Sequence, residues 1–350
     1  MARDRSSEID AALLTQVSAH PNDLTRVVAD AIGVSRQAVA SRVRVLVDSG
    51  YLAKSGTTRP TYQLGLNRRA VFNYPLDGLA EDRVWTRDVA PLLQGLPREI
   101  VDICHFGLTE MVNNAIDHSE GTAVTVQVIR DSRQVFLGVS DDGIGIFHKI
   151  ARALDLPDER LALLELAKGK LTTDPRHHSG EGVFFTSRMF DRYQIMAGEL
   201  LFDHDDNEPE DWLFDIDEAG SGTDVFMQIA ANATRTMAEV YAQYSSGPDD
   251  YNFAKTVVPV RLAKVGDENL VSRSQAKRLM LRVDGFSVVV LDFTEVTRIG
   301  QAFADEVFRV FANEHPDIEL QSIHASPEVQ QMIRRAEVLR NEGSDQLPLL

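Results

Sequence analysis

The residues best placed to do chemistry lie between positions 106 and 146, in two short stretches separated by one apolar hairpin. In the first stretch, Glu110 and Asn114 are four residues apart within apolar residues of helical spacing, so both project from one side of a helix. A carboxylate beside an amide suits hydrated Mg²⁺, which takes few protein oxygens and keeps its waters. The carboxylate can also accept a proton from an attacking water. The pair therefore predicts a magnesium site with a general base beside it.

The second stretch is an apolar strand that ends in the pattern Asp-x-Gly-x-Gly. Asp141 offers a hydrogen-bond acceptor at the end of the strand, and Gly143 and Gly145 let a ligand approach the backbone closely. Taken alone, a Glu and an Asn on a helix indicate a solvated face, and the glycine pattern indicates a turn. The two together, in this order and about thirty residues apart, favour a binding site.

In this order the stretches resemble the N box (Glu-x-x-x-Asn-Ala-x-x-His) and the G1 box (Asp-x-Gly-x-Gly-Ile) of the GHKL ATPases. That family includes gyrase-type topoisomerases, mismatch-repair ATPases, heat-shock chaperones, histidine kinases and anti-sigma-factor serine kinases. The resemblance implies an α/β fold, an α+β sandwich of the GHKL type, that binds ATP and Mg²⁺. It implies that Glu110 polarises water, that Asn114 helps to hold Mg²⁺, and that Asp141 accepts a hydrogen bond from the adenine amino group. The Walker pattern of P-loop enzymes is absent.

Residues 169–182 form a polar stretch that runs into a predicted helix. A glycine-bearing loop before a helix N-terminus suits a triphosphate, because backbone N–H groups and the helix dipole both favour an anion. Gly180 and Gly182 match the Gly-x-Gly of the G2 box and ATP lid of the GHKL family. Arg176 and His178, in the same stretch, are candidates for further phosphate contacts.

The chain departs from the family pattern directly after these glycines. Residues 183–185 read Val-Phe-Phe where the family usually has Leu-Gly-Leu. The resemblance therefore does not define the geometry of the lid. Farther on, a Gly-Thr pair before an apolar strand resembles the last box of the family. That resemblance implies that Thr223 supports the adenine-side carboxylate and its water. The four boxes cover residues 100–230.

Residues 8–66 predict three short helices followed by a two-stranded hairpin with a basic tip. Their spacing resembles a winged helix-turn-helix, in which the second helix of the motif enters the major groove of DNA. Residues 24–64 are therefore expected to bind double-stranded DNA. The expected contacts are Arg36, Gln37, Ser41 and Arg42 on the helix and Lys54 and Arg59 in the wing. The local excess of arginine favours DNA, and protein docking stays open as the other use of such a module.

The last hundred residues alternate strands and helices, which predicts a small α/β module. Residues 289–303 resemble the STAS fold of anti-sigma-factor antagonists. Those proteins carry a phosphorylated serine in an Asp-Ser pair, but this chain has Gly300-Gln301 there. A phosphoserine switch at that position is excluded, and docking of a protein partner is favoured. Residues 245–256 read as a linker.

Length and composition set the outer limits. A chain of 350 residues can form several domains, and the expected division is a winged helix-turn-helix at 1–68, a GHKL-type ATP-binding domain at 69–232 and a STAS-like domain at 250–340. The net charge of −17 argues against coating nucleic acid by bulk electrostatics. The single cysteine, Cys104, excludes an intrachain disulfide. No apolar run approaches the length of a membrane span and no signal peptide is visible, so a cytoplasmic protein without a membrane partner is expected.

Three functions are consistent with these features. The first is an ATP-binding, ATP-hydrolysing DNA-binding regulator in which Mg-ATP switches the flanking domains. The second is a serine protein kinase of the anti-sigma type, and the third is a non-hydrolysing ATP sensor that acts on a protein partner. Autophosphorylation on histidine is disfavoured, because neither His20 nor His105 has the setting of a phosphoacceptor. A homodimer would suit a palindromic operator, although the sequence shows no dimer surface.

Overall fold

The N-terminal part of the chain folds around a core of its own. The computed structural model describes residues 5–171, 180–208, 212–247, 250–264 and 269–344. The first elements are α1 (Ser6–Gln16), α2 (Leu24–Ile32), α3 (Arg36–Asp48), β1 (Leu52–Ser55) and β2 (Thr61–Leu64). Their buried side chains include Leu13, Val17, Leu24, Val28, Val39, Val43 and Leu52. Ser35 is the N-cap of α3, because its hydroxyl accepts a hydrogen bond from the Ala38 N–H at 3.2 Å.

The hairpin leads directly into the next sheet. Strand β3 runs from Arg68 to Pro75 and pairs antiparallel with β4 (Ala123–Arg130). The sequence of β3 does not show a clear alternation of apolar and polar residues, because it begins with two arginines and ends with a proline. Asn67 donates its N–H to the Gly50 carbonyl at 3.0 Å, and its side chain donates to Ser49 at 2.7 Å. The N-terminal unit is therefore joined to the sheet by only a few residues.

The central unit is a two-layer α+β sandwich. Its five-stranded sheet has the order β3-β4-β5-β7-β6, with every neighbouring pair antiparallel, and the last three strands are β5 (Gln134–Asp141), β6 (Arg192–Asp205) and β7 (Trp212–Ala230). Helix α5 (Arg98–His118) packs on one face. Gly107 permits close contact in this layer, because a Cβ there would lie 2.5 Å from the ring of Phe190.

The remaining helices surround this sandwich. Helix α4 (Glu81–Arg83) continues through a π-helical turn at Val84–Val89 and a 3-10 turn at Ala90–Leu93, which contains Pro91. Then follow α6 (Ile146–Leu154), α7 (Arg160–Lys168), α8 (Gly182–Met189) and α9 (Met237–Gln243). Among the described residues, no helix combines the length and apolarity that a membrane span requires.

The C-terminal unit is a small α/β module. Its three-stranded parallel sheet has the order β10-β11-β12, formed by β10 (Lys255–Pro259), β11 (Val288–Asp292) and β12 (Glu319–Ile323). The helical elements are a 3-10 turn at Val260–Ala263, α10 (Arg273–Leu279), α11 (Gln301–Asp305), a π-helical turn at Glu306–Phe311, α12 (Ala312–Glu314) and α13 (Pro327–Ser344). Its buried side chains are continuous with those of the central unit.

The segment expected to be a linker also contains regular structure. Strands β8 (Ser245–Gly247) and β9 (Asp250–Phe253) pair antiparallel just before β10. Phe253 anchors this segment, because it is buried between aromatic rings of the central and C-terminal units. Composition alone suggested a solvated connection, and one buried aromatic side chain reverses that expectation.

Candidate functional site

The helix that carries Glu110 and Asn114 and the glycine turn after β5 face one cavity. This cavity has a volume of about 270 Å³ and is walled by α5, the end of β5, the turn after it, α6, α7, α8, β6 and β7. The expected site residues that line it are Glu110, Asn114, Asp141, Gly145, Gly180, Gly182 and Thr223. Its apolar wall includes Val139, Ile146, Ile150, Leu166 and Val225. The geometry thus combines two carboxylates, an amide and an apolar surface in one pocket.

Asp141 is held in place by main-chain donors. Its Oδ1 accepts the Gly143 N–H at 2.9 Å and the Thr223 N–H at 3.3 Å. The hydroxyl of Thr223 accepts the Ile146 N–H at 3.0 Å, so it ties the strand to the start of α6. Burial raises the pKa of the Asp141 carboxyl, and the two N–H donors oppose that rise. The carboxylate is therefore a fixed, partly desolvated acceptor.

Two glycines near Asp141 are required by close packing. Gly143 stands behind the cavity wall, where a Cβ would lie 2.1 Å from the Ser119 carbonyl oxygen. Gly222 has φ +83°, and a Cβ there would lie 1.9 Å from the Asp141 carbonyl oxygen. Gly143 therefore orients Asp141, whereas Gly145 lines the cavity itself.

The neighbouring carboxylate has a different task. Asp142 accepts hydrogen bonds from the Thr122 hydroxyl, the Thr122 N–H and the Ala123 N–H at 2.6–2.9 Å. These bonds, with the hydroxyl bond first, lower the pKa of Asp142 to about 2. Of the adjacent aspartates, Asp142 thus closes the turn and Asp141 faces the cavity.

At the other end of the cavity, Glu110 meets the N-terminus of α8. A Cβ on Gly182 would lie 1.9 Å from Oε2 of Glu110, so the carboxylate touches the backbone where this helix begins. Tyr241 stands nearby, and its pKa is raised to about 12 by burial first and then by the charges of Glu110 and Glu181. This end of the cavity is acidic, which suits a metal cation or the acceptance of a proton.

Some lining residues were not singled out from the sequence. Lys149 is the one lysine or arginine among the described lining residues, and its ammonium lies 3.2 Å from Glu120. Tyr193 also lines the cavity, as does His118, the histidine that completes the N box pattern. Lys149 stands one turn after Ile146, so helical periodicity after the glycine turn was the available signal. Arg176 and His178 lie outside the described residues.

Five of the six expected DNA contacts are exposed, and the sixth forms an ion pair within the N-terminal unit. Arg36, Gln37, Ser41, Lys54 and Arg59 are exposed. Arg42 instead pairs with Asp10 of α1, with its Nε 2.9 Å from Oδ1. Arg44, which was not among the expected contacts, is exposed on the same helix.

The charge of the N-terminal unit differs from that of the whole chain. Residues 5–67 contain seven Lys or Arg against five Asp or Glu, a net charge of +2, whereas the whole chain carries −17. Phosphate contacts come from such local excess.

Comparisons with known proteins find a family model that matches the central unit and another that matches the C-terminal unit. Residues 76–200 match the family model described as "Histidine kinase-like ATPase domain", and residues 275–330 match the "STAS-like domain of unknown function (DUF4325)". The chain thus contains an α+β sandwich of the GHKL type followed by a small STAS-like α/β domain. This supports ATP binding and ATPase- or kinase-type chemistry in general. No match is found among curated proteins.

One solved structure is similar at low identity. It is the "Crystal structure of IcIR transcriptional regulator from Alicyclobacillus acidocaldarius", with 15% identity, 67% of this chain covered, 90% of that chain covered and a TM-score of 0.18. A similarity at that TM-score carries no argument about this chain.

Proposed function

We propose that this chain is an Mg-ATP-binding, ATP-hydrolysing, DNA-binding regulator in which nucleotide occupancy changes how the flanking units pack. The observation that carries the proposal is that Glu110, Asn114 and Asp141 line one cavity. A ligand that favours one of two packings shifts the population toward that packing. The proposed units remain 1–68 for DNA, 69–232 for nucleotide and 250–340 for a protein partner.

In this proposal each polar residue has one task. Asp141 accepts a hydrogen bond from the adenine amino group. Thr223 fixes the position of that carboxylate relative to the start of α6. Asn114 holds Mg²⁺, and Glu110 accepts a proton from the attacking water. The amide oxygen of Asn114 fits the metal, because Mg²⁺ takes few protein oxygens and keeps its waters. When bound, Mg²⁺ would neutralise charge on the phosphates.

The glycines supply space and main-chain donors. Gly143 and Gly145 form the tight turn beside Asp141, and Gly180 and Gly182 bring the backbone close to the phosphates at the start of α8. That helix is eight residues long, and its N-terminal N–H groups favour an anion. Lys149 lines the cavity and supplies an ammonium group that can bind the phosphates.

The first experiment measures affinity. Asp141→Asn keeps the size of the side chain but replaces one acceptor oxygen with a donor. We expect its Kd for Mg-ATP, measured by calorimetry, to rise by about tenfold to 100-fold, the range that one charged hydrogen bond supplies. Asp131→Asn, in the turn between β4 and β5, is the matched control. Equal Kd values for wild type and Asp141→Asn would remove the adenine assignment.

The products distinguish the proposed ATPase from the alternatives. Wild-type protein incubated with γ-labelled Mg-ATP is expected to release free phosphate, and Glu110→Ala is expected to lose about 100-fold or more of that turnover. Transfer of label to a serine of a protein partner would support the kinase. Binding without either product would support the sensor, and full turnover by Glu110→Ala would exclude the general-base role.

The DNA-binding part of the proposal rests on the exposed cations of the N-terminal unit. Removing one cation that binds a DNA phosphate should reduce the slope of log K against log salt by about 0.9. We expect Arg36→Ala and Arg44→Ala each to weaken binding of a short DNA duplex and to flatten this slope. Arg98→Ala, which removes an exposed arginine on α5, is the control. Identical salt slopes for all three variants and wild type would contradict DNA binding by this surface.

A further inference from the structure

Helix α7 lies between the cavity and the C-terminal unit. Eight of its nine residues are buried, including Glu165 and Lys168. A helix buried on all sides packs between two bodies. On one side Leu166 lines the cavity, and on the other side α7 packs against β10 and the 3-10 turn after it.

Lys168 joins the end of α7 to the C-terminal unit. Its ammonium, 1% exposed, donates to Glu165 at 2.7 Å, to the Leu281 carbonyl at 2.8 Å and to the Arg278 carbonyl at 3.2 Å. The two carbonyls belong to the end of α10 and the turn after it, where a cation is favoured by the helix dipole. The carbonyl of Lys168 in turn accepts a hydrogen bond from the buried hydroxyl of Thr256 in β10, at 2.7 Å.

The next two residues continue this attachment. Gly169 has φ +74°, and a Cβ there would lie 2.5 Å from the ring of Phe253, so only glycine fits. Lys170 donates to the Gly285 carbonyl at 2.9 Å, and its ammonium lies 4.6 Å from the centre of the Phe286 ring. Residues 168–170 are thus fixed to the C-terminal unit at consecutive positions.

A second contact reaches the same unit from α8. The rings of Phe184 and Phe185 lie 4.7 and 4.9 Å from the ring of Phe253, and Phe253 lies 5.0 Å from Phe286. Residues 183–185 are the positions where the sequence departs from the family pattern. The two phenylalanines there provide the surface on which the C-terminal unit packs.

These two attachments meet at one wall of the cavity. The Leu171 N–H donates to the Gly180 carbonyl at 3.0 Å, and Leu171, Gly180 and Gly182 all line the cavity. Leu171 directly follows Lys170, and Gly182 is the first residue of α8. The C-terminal unit therefore holds both described chain segments that form the wall.

We infer that the STAS-like unit regulates nucleotide binding by positioning this wall through Lys170 and the Phe184–Phe253 contact. The inference rests on the proposed ATP site and names its regulation. Because coupling between two sites is reciprocal, nucleotide must also stabilise the C-terminal unit. A protein partner that binds one packing of that unit more tightly than the other must then change the affinity for nucleotide. Lys170 acts as a positioning residue, since it does not line the cavity.

The test compares two readouts in the full chain. Lys170→Met removes the bond to Gly285 and the cation on Phe286 while keeping the length of the side chain. We expect Mg-ATP to bind this variant about tenfold more weakly, and Lys170→Arg to restore most of the affinity. In wild type, saturating Mg-ATP should slow hydrogen exchange of backbone amides at 283–288. Lys170→Met at saturation should lose that protection.

Lys277→Met is the matched control, because Lys277 is an exposed lysine of α10 that pairs with Glu306 at 3.6 Å. It should keep both the affinity and the protection of wild type. If wild type binds Mg-ATP but exchange at 283–288 does not change, the inference is overturned and the ATP site stands. If wild type does not bind Mg-ATP, the proposed function is overturned and the inference with it.

Discussion

Replacing Gly182 with alanine is expected to lower ATP turnover by about 100-fold or more, the contribution of a general base. The added Cβ would lie 1.9 Å from Oε2 of Glu110, so the carboxylate must leave its position. Helix propensity alone predicts the opposite direction for stability, because alanine in place of glycine stabilises a helix by up to about 1 kcal/mol. Steady-state phosphate release and the thermal midpoint, measured on the same sample, separate the two effects.

Gly220→Ala is the control for this substitution. Gly220 lies in β7, and a Cβ there would meet no atom within 4 Å, so turnover should be unchanged. A Gly182→Ala variant that keeps full turnover would show that the position of Glu110 does not matter for the reaction. A variant that is unfolded by its thermal profile must be replaced by Glu110→Gln, which removes the base without adding volume.

Replacing Lys168 with methionine is expected to cost about 3–5 kcal/mol of unfolding free energy, as for other buried ion pairs that lose one partner. Glu165, 2% exposed, would keep a buried charge without its ammonium, and the Arg278 and Leu281 carbonyls would lose their donor. Whole-chain stabilities are typically about 5–15 kcal/mol, so the effect is large. Urea unfolding followed by tryptophan fluorescence measures it.

The matched comparison is Arg98→Met, which breaks the exposed pair with Asp102 at 3.5 Å. Exposed pairs contribute about 0–1 kcal/mol, so its midpoint should barely move. The double variant Lys168→Met, Glu165→Leu should recover part of the stability, because it removes the unpaired charge. Equal midpoints for Lys168→Met and Arg98→Met would contradict the buried pair.

The residues that line the cavity were largely predictable because they follow local rules. Glu110 and Asn114 are placed on one face by helical periodicity, and Asp141 is placed by the end of an apolar strand. That the two groups share a cavity followed from the family resemblance, and the structure brings them together. Lys149 was not singled out, although its position one turn after Ile146 places it on the face of α6 that lines the cavity.

The connections between units were not predictable from the sequence. Strand β3 contains two arginines, and its pairing with β4 depends on a partner about fifty residues away. Lys168 resembles a solvated lysine near a helix end, but its ammonium is buried and binds carbonyls at the end of α10 and in the turn after it. Arg42 was expected at DNA, but its pairing depends on where α1 places Asp10. Each of these outcomes is set by tertiary contacts rather than by local spacing.

The most direct test of the nucleotide site is a crystal structure of the full chain with Mg²⁺ and a non-hydrolysable ATP analogue. The proposal predicts the adenine amino group at a hydrogen-bonding distance of about 2.7–3.2 Å from the Asp141 carboxylate. It also predicts Mg²⁺ at the oxygen of Asn114 and the terminal phosphate beside Glu110 and Gly182. Nucleotide bound with its base away from Asp141, or its phosphates away from Asn114, would contradict it.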